Sequence, residues 1–280
     1  MHVLFFLCGF VAVAFVLVIT LYLIVSGLPA IREVGLVDFL FGTTWDSTNK
    51  TNPQYGILPF ILTSIYGTAG AILIGVPIGF MTAVFLAKVA PPKVASAIRP
   101  AVDLLAGIPS VVYGMVGMVI LLPGIRELFD LRAGDTLLAA IIVLAVMILP
   151  SIISVSETAL RAVPREYEEA SLALGATEIE TYFRVTAPAA KSGIAAAVVL
   201  GVGRAIGEAM AIMMVAGNAA NMPSLFSSVK FLTTAVASEM SYAPDGSLQK
   251  MALFSIGLVL FVFIMMINII LNVVLKREKE

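Results

Sequence analysis

Six apolar runs, each long enough to cross a lipid bilayer as a helix, follow one another along this sequence of 280 residues. A membrane-spanning helix needs about 20 consecutive apolar residues, because the hydrocarbon layer is about 30 Å thick. Hydrophobic residues make up 60% of the chain and charged residues only 12%, which excludes an ordinary soluble domain. We therefore expect an all-α integral membrane protein with six transmembrane helices, predicted at residues 3–28, 57–87, 101–122, 136–156, 193–217 and 251–275.

The polar segments between these runs define the predicted domain organisation. Residues 1–30 form a first transmembrane helix, which we expect to be retained because its apolar run exceeds the roughly 7–15 residues of a signal-peptide core. Residues 31–56 form an extracytoplasmic loop. Residues 57–275 form a five-helix core that contains a charged loop at 161–192, and residues 276–280 form a short tail.

The distribution of basic residues predicts which side of the membrane each loop faces. Six spans place both termini on one side, and cytoplasmic loops carry an excess of lysine and arginine. The segments on the side of the charged loop hold ten basic residues: Lys88, Lys93, Arg99, Arg161, Arg165, Arg184, Lys191, Lys276, Arg277 and Lys279. The opposite segments hold six: Arg32, Lys50, Arg126, Arg132, Lys230 and Lys250. We therefore expect the charged loop and both termini in the cytoplasm of a multi-pass protein of the cell membrane.

Residue counts exclude several kinds of chemistry. Cys8 is the only cysteine and His2 the only histidine, so an intramolecular disulfide, a multi-cysteine metal site and catalysis by a Ser/His or Cys/His pair lack their components. A net charge of −1 supplies no basic field for nucleic acid. We expect no enzymatic activity, no cofactor bound by this chain and no nucleic-acid partner.

The charged loop at residues 161–192 is the one long hydrophilic stretch inside the apolar sequence. A first helix is predicted from Arg165 and is interrupted by Gly175, and a second is predicted at residues 176–185, ending before Pro188. On charge alone, a solvated surface loop explains the same composition.

The spacing within this loop is more specific than its charge. The letters EAS at 169–171 are followed after three residues by a glycine and after nine more by VTAP at 185–188. This pattern resembles the EAA loop of permeases from ATP-binding cassette importers, with serine, valine and alanine in place of the family's alanine, isoleucine and leucine. The resemblance implies a coupling helix docked into a groove of a cytoplasmic ATPase subunit. It places these residues in or near the contact: Glu169, Ala170, Gly175 and Pro188.

The fifth apolar run contains two charged residues, Arg204 and Glu208. Arg204 lies 11 residues after Gly193 and therefore roughly 16 Å along a helix, near the bilayer centre. An arginine at that depth should face protein or a water-filled path, and Glu208 is one helical turn away and could pair with it. Arg204 is a candidate donor to an oxyanion that crosses the membrane, whereas a structural ion pair remains the alternative. Gly203 and Gly207 are predicted to form a close helix-packing surface.

The third run carries a less specific polar motif around Pro109. A proline frees backbone groups within a helix, and Ser110 and Tyr113 supply hydroxyl groups that could line a polar path. Local satisfaction of a kinked helix explains the same residues equally well.

Several motifs together give a closer resemblance. They are WD at 45–46, YG at 55–56, AGIPSVVYG at 106–114, the charged loop, GRAIGEAMA at 203–211 and AGN at 216–218. In combination they resemble the PstC-type permeases of phosphate-specific importers of the ATP-binding cassette class, and so imply the type I importer permease fold. The resemblance implies a heterodimer with a PstA-type permease, two PstB-type ATPase subunits, an extracytoplasmic phosphate-binding protein, and a role for Arg204 and Glu208 in phosphate passage.

Two alternatives remain open from the sequence. A permease for another oxyanion, such as sulfate or molybdate, differs little in the charge and size of its substrate. A stand-alone secondary transporter often has two related halves, and we find no clear internal repeat. The sequence lacks the Gly-x-x-x-x-Gly-Lys-Ser/Thr nucleotide motif, so ATP would be handled by another subunit.

Overall fold

The computed structural model describes residues 2–49 and 51–277, which are almost entirely helical. The helices, in chain order, are α1 (His2–Val34), α2 (Leu36–Phe41), α3 (Leu58–Val84), α4 (Pro92–Gly107), α5 (Ser110–Val116), α6 (Leu122–Leu128), α7 (Leu137–Arg161), α8 (Arg165–Ala173), α9 (Glu178–Thr181), α10 (Ala187–Ala189), α11 (Lys191–Gly207), α12 (Met210–Val215), α13 (Leu232–Glu239) and α14 (Leu248–Arg277). A two-stranded antiparallel hairpin consists of β1 (Trp45–Asp46) and β2 (Gln54–Tyr55).

Five helical stretches within the described residues are long and apolar enough to span a membrane. They are Leu4–Val34, Leu58–Val89, Ser110–Leu128, Leu137–Arg161 and Leu248–Ile270. A sixth is a bent pair, Glu178–Ala189 followed by Lys191–Gly207, with an angle of 74° between its parts. The predicted all-α, multi-span fold class is confirmed, with the fifth predicted span as the irregular one.

Helix α7 lies at the centre of the fold, with α3 and α11 packed along it. Its side chains at Leu144, Ile148 and Ile152 are at most 1% exposed. Glycines on α3 let the two backbones approach, because a Cβ at Gly75 would lie 2.7 Å from the Ile148 side chain. The small residues of the second apolar run therefore serve close packing.

Three π-helical turns come shortly before prolines. They are Phe85–Val89, Gly117–Leu121 and Tyr182–Thr186, and they precede Pro91, Pro123 and Pro188. A proline donates no backbone hydrogen bond and crowds the carbonyl one turn earlier, so a widened turn relieves the conflict. After the third π turn the helix continues through Pro188 to the end of α10. The prediction that the second loop helix ends before this proline is therefore wrong.

The third predicted span, residues 101–122, is also displaced. The chain breaks at Ile108 and Pro109, both of which have extended ψ angles, and the spanning stretch begins at Ser110. The preceding segment, predicted as a loop at residues 88–100, is mostly the amphipathic helix α4. Prolines at 91 and 92 explain its start, because proline is favoured in the first helical turn, where its missing N–H has no partner to lose.

The segments predicted as loops at the other end of the molecule also contain ordered elements. The first helix runs to Val34, and residues 31–56 include α2 and the hairpin. Trp45 of the hairpin donates from its indole nitrogen to both carboxylate oxygens of Glu239 in α13, at 3.1 and 3.2 Å. Lys230 pairs with the same carboxylate at 2.6 Å. The hairpin is therefore fixed to a short helix from a loop nearly 200 residues later.

Replacing Gly193 with valine should loosen the contact between α11 and α7. A Cβ at Gly193 would lie 2.4 Å from the Cβ of Ala159, which has no rotamer to move aside. Overpacking of this kind costs roughly 1–3 kcal/mol, so the midpoint of thermal unfolding in detergent should fall by several degrees. Gly9→Val is the matched control, because a Cβ at Gly9 would have no atom within 4 Å. Equal midpoints for the two variants would contradict this account of the packing.

Candidate functional site

Arg204 lies near the end of α11 with its side chain half-buried. Its Nη1 atom is 3.5 Å from the Ser151 hydroxyl on α7, at the outer limit of a hydrogen bond. Among the described residues, no carboxylate oxygen lies within 4.0 Å of its guanidinium. The predicted option of an ion pair with Glu208 is not formed in this structure.

The reason is that the fifth span breaks at Glu208. Its ψ angle is 130°, so the helical spacing on which the pairing depends ends at Gly207. The Glu208 carboxylate instead accepts a hydrogen bond from the backbone N–H of Ala211 at 2.9 Å. The Glu208 carbonyl, which a continuous helix would pair with residue 212, accepts from the Thr233 hydroxyl at 2.7 Å. The Glu208 carbonyl and the Ala211 N–H, two of the backbone groups that the break frees, are therefore paired within the protein.

The face of α11 that carries Arg204 is open within this chain. Gly203 and Gly207 are exposed, and a Cβ at either would have no atom within 4 Å. In the described part of the chain, these glycines do not form the predicted packing surface. Gly201 packs instead, since a Cβ there would lie 3.1 Å from Ile152 of α7. An arginine at this depth with an open flank is costly unless a polar path or another subunit covers it.

Tyr113 satisfies the backbone at the break before α5. Its hydroxyl donates to the Leu105 carbonyl at 2.7 Å. That carbonyl would pair with residue 109 in a continuous helix, but Pro109 has no N–H to offer. Ser110 is half-buried at the start of α5, and its hydroxyl makes no hydrogen bond to any described residue. The geometry gives Tyr113 a structural bond and leaves the Ser110 hydroxyl available, while a role for either in a polar path stays a prediction.

The charged loop folds into two helices joined at Gly175. Gly175 has a φ angle of +89°, a left-handed conformation that side chains with a Cβ rarely adopt. The second helix begins with a capping box, in which the Thr177 backbone N–H and hydroxyl donate to the Glu180 carboxylate. The interruption at Gly175 occurs where the sequence predicts it.

The tip of this loop presents apolar side chains outward. Leu174 is 88% exposed, Ile179 67% and Tyr167 55%. Glu169 and Ala170 lie on α8 and are also exposed. Large apolar side chains with such exposure on a charged loop indicate a contact with another macromolecule. Pro188 is exposed as well and lies after the π turn, outside this tip.

The base of the loop is tied to the membrane helices by Glu168. Its carboxylate pairs with Lys88, in the π turn after α3, at 2.5 Å and accepts from the Thr186 hydroxyl at 3.0 Å. The Ser171 and Thr181 hydroxyls, 2.8 Å apart, join the two loop helices. The pairing of Lys88 with Glu168 has no signal in the sequence, because 80 residues separate the two and no local pattern links them.

A second ionic cluster, also not predicted from the sequence, joins α4, α7 and the π turn after α3. The buried carboxylate of Glu157 accepts from Arg99 Nε at 2.6 Å and from Arg161 Nε at 2.9 Å. Both arginines also donate from Nη2 to the Leu86 carbonyl, at 3.3 and 2.8 Å. The spacing of four residues between Glu157 and Arg161 is a signal for half of this cluster. The partner on α4 has no such signal.

This fold, with its open arginine face, defines a polytopic membrane permease. The model of the family described as binding-protein-dependent transport system inner membrane component matches residues 75–279. The chain belongs to this family, and it is a permease component of a transport system rather than an enzyme.

Two relatives cover nearly the whole chain. A probable ABC transporter permease protein, YqgH, of Bacillus subtilis is 39% identical over 275 residues, covering 97% of this chain and 89% of that protein. The phosphate transport system permease protein PstC of Haemophilus influenzae is 36% identical over 299 residues, covering 99% and 91%. The predicted resemblance to PstC-type permeases is confirmed.

Solved transporter structures share the fold. A chain of the bacterial alginate ABC transporter, in complex with an alginate-bound periplasmic protein, superposes with a TM-score of 0.69 at 15% identity, over 98% of this chain and 94% of that chain. A chain of the inward-facing MetNI methionine ABC transporter gives a TM-score of 0.63 at 20% identity, over 79% and 95%. The predicted type I importer permease fold is confirmed.

Reversing the charge of Lys88 should loosen the charged loop. The Lys88→Glu variant would place two carboxylates together at a site where the paired side chains are 12% and 18% exposed. We expect a loss of about 1–3 kcal/mol, between the values for exposed and buried pairs, seen as faster proteolysis within residues 165–186 and a lower midpoint of thermal unfolding.

The double variant Lys88→Glu with Glu168→Lys should recover much of this loss, because it restores an ion pair. Lys93→Glu, at an exposed lysine of α4, controls for the change in net charge. If the double variant is cleaved as fast and unfolds at the same temperature as Lys88→Glu, the Lys88–Glu168 pair does not hold the loop in place.

Proposed function

We propose that this chain is a phosphate-translocating permease subunit of an ATP-driven importer. The observation that carries the proposal is Arg204, a charged residue without a carboxylate partner among the described residues, on the open face of a span broken at Glu208. The relatedness to a phosphate transport system permease supports phosphate as the substrate.

Arg204 is suited to transient binding of an oxyanion. A guanidinium offers a planar fork of donors that matches the oxygens of phosphate. The hydrogen-bond partner of Arg204 is the neutral Ser151 hydroxyl, at 3.5 Å. Arg204 can therefore bind an incoming anion without first breaking an ion pair. Glu208 stays four residues away and is fixed to Ala211. Its negative charge near the path limits how tightly an anion is held, and weak binding favours passage.

The open flank of α11 supports a second subunit as the other wall of the path. A chain that exposes an intramembrane arginine beside two bare glycines would be covered in an assembly by a second permease of the PstA type. Phosphate would arrive from an extracytoplasmic phosphate-binding protein on the side of the β1–β2 hairpin. Membrane lipid would cover the outward faces of α1 and α14.

The charged loop is suited to docking on an ATPase. Its exposed tip around Leu174 and Ile179 would enter a groove on one PstB-type subunit, with Glu169, Ala170 and Gly175 in the contact and Pro188 at its edge. ATP would be bound by two such subunits, and this chain would bind no cofactor. The loop and both termini would then face the cytoplasm, in agreement with the excess of basic residues on that side.

Replacing Arg204 with glutamine should slow phosphate uptake while leaving the complex assembled. Loss of a charged hydrogen bond to substrate of about 1.5–3 kcal/mol corresponds to a roughly 10- to 100-fold slower rate. The measurement is uptake of labelled phosphate by proteoliposomes that contain the second permease, the ATPases and the binding protein, with sulfate and molybdate as competitors.

Arg126→Gln is the matched control, because Arg126 is an exposed arginine on α6. Unaltered phosphate uptake by Arg204→Gln would rule out the anion-binding role. Uptake of sulfate or molybdate in place of phosphate by the unmodified complex would identify a different oxyanion importer.

Replacing Gly175 with valine should uncouple ATP hydrolysis from transport or release the ATPase. A β-branched residue at a φ angle of +89° is strained by about 1–3 kcal/mol, so the two loop helices would change their mutual angle. The measurements are co-purification of the ATPase and the ratio of phosphate transported to ATP hydrolysed. Gly246→Val is the matched control, because Gly246 has a φ angle of +75° and equally open surroundings. A fully coupled Gly175→Val complex would refute the docking role.

A further inference from the structure

A line of polar side chains on helix α7 begins beside Arg204, which lies on α11. Ser151, Ser154, Thr158 and Arg161 follow one another at spacings of three, four and three residues, which places them on one helical face over about 15 Å. Ser151 is the hydrogen-bond partner of Arg204, at 3.5 Å. The line therefore connects the intramembrane arginine with the end of α7 that leads into the charged loop.

The line ends in a polar cavity of about 380 Å³. Its polar lining comes from α4 and α7 and consists of Arg99, Asp103, Ser154, Glu157, Thr158 and Arg161. This volume is larger than that of a phosphate ion and leaves space for water. The cavity is separate from the Arg204 site, and none of the residues assigned to the function proposed above lines it.

Both arginines of this cavity retain unused donors. Arg99 and Arg161 each commit Nε to the Glu157 carboxylate and Nη2 to the Leu86 carbonyl. Their Nη1 groups make no hydrogen bond to any described residue. Glu157 and Leu86 thus hold two guanidinium groups in place side by side, with free N–H groups left to bind an oxyanion.

The surrounding polar groups make the cavity a place of weak binding. The Thr158 hydroxyl donates to the Ser154 carbonyl of its own helix at 2.8 Å, and the Ser154 hydroxyl donates to Asp103 at 3.5 Å. The second of these bonds is long, so this hydroxyl can turn toward an incoming anion. Asp103 and Glu157 offset the charge of the two arginines, which opposes long retention of an anion.

We propose that this cavity is a second oxyanion-binding station, which receives phosphate from Arg204 along α7 and releases it on the side of the charged loop. The Nη1 groups of Arg99 and Arg161 bind the anion, and Ser154 and Thr158 contribute hydroxyls. The proposal rests on the function proposed above, since it assigns a second site on the path of the same substrate.

The sequence permits a direct test with single cysteines. Cys8 is the only cysteine of this chain, so Cys8→Ser removes its thiol, and Thr158→Cys is introduced into that background. The complex with Cys8→Ser alone gives the labelling of the other subunits. In the assembled complex in inside-out vesicles, a cationic methanethiosulfonate should modify the introduced thiol, and millimolar phosphate should slow modification at least about threefold relative to chloride of equal ionic strength. Ser96→Cys is the control, because Ser96 is exposed on α4 outside the cavity lining and bonds only to its own helix, as Thr158 does.

A charge placed in the cavity should have a matching effect on transport. Thr158→Glu should slow phosphate uptake about tenfold or more, because a fixed carboxylate repels the anion at close range, whereas Ser96→Glu should transport normally. Co-purification of the other subunits verifies that the Thr158→Glu complex assembles. If assembly fails, protection of Thr158→Cys by phosphate decides the question alone.

The outcomes separate this inference from the proposed function. Absence of phosphate uptake by the unmodified complex refutes phosphate transport itself, and protection by sulfate or molybdate then reports on the cavity with the alternative substrates. Normal uptake by the unmodified complex, without protection of Thr158→Cys by phosphate, overturns the second station and leaves the role of Arg204 intact.

Discussion

Two hydrogen bonds at the break in the fifth span determine what Arg204 can do. If the helix continued, Glu208 would lie one turn beyond Arg204 and the two charges would neutralise each other. The Thr233 hydroxyl donates to the Glu208 carbonyl, and the Ala211 N–H donates to the Glu208 carboxylate. The carboxylate is therefore held away from the Arg204 guanidinium. The arginine then keeps its donors for other groups. Thr233 lies in the first turn of α13, and Glu239 of the same helix binds Trp45 of the β1–β2 hairpin. The state of the arginine therefore depends on the loops at that end of the molecule.

A comparable dependence links the charged loop to the membrane helices at the other end. Glu168 fixes α8 to Lys88, and two residues before Lys88 the Leu86 carbonyl accepts from Arg99 and Arg161. Both contacts fall within one π turn, a helix irregularity often found at functional sites. A displacement of the loop base is therefore transmitted directly to the turn that positions both arginines, through short contacts between rigid helices.

The sequence was most informative where the physics is local. Apolar run length determined the spans, and the spacing around Gly175 identified a loop whose left-handed residue the structure contains. Each of these features depends on residues that are close in the chain, so one sequence suffices to predict them.

The features that were missed depend on contacts between distant residues. The break at Glu208 requires a threonine 25 residues later, and the cluster at Glu157 requires an arginine 58 residues earlier. Continuous hydrophobicity through residues 209–216 hides the break, because an apolar run looks the same whether its helix is whole or divided. The same limitation displaced the third span, where Pro109 was identified as a source of free backbone groups but not as the start of a new helix.

The position of the Leu86 carbonyl suggests why substrate release and loop movement would be linked in such a permease. It accepts from Arg99 and Arg161, whose Nη1 groups line the cavity at the end of α7. A shift of the π turn would therefore change the direction in which these N–H groups point. Glu157 remains bound to both Nε atoms and prevents the arginines from separating. A small movement of the loop base would thus alter the grip on an anion without breaking the buried ion cluster, whose disruption would cost several kcal/mol. A cavity built in this way can change its affinity during a transport cycle while the surrounding helix packing stays intact.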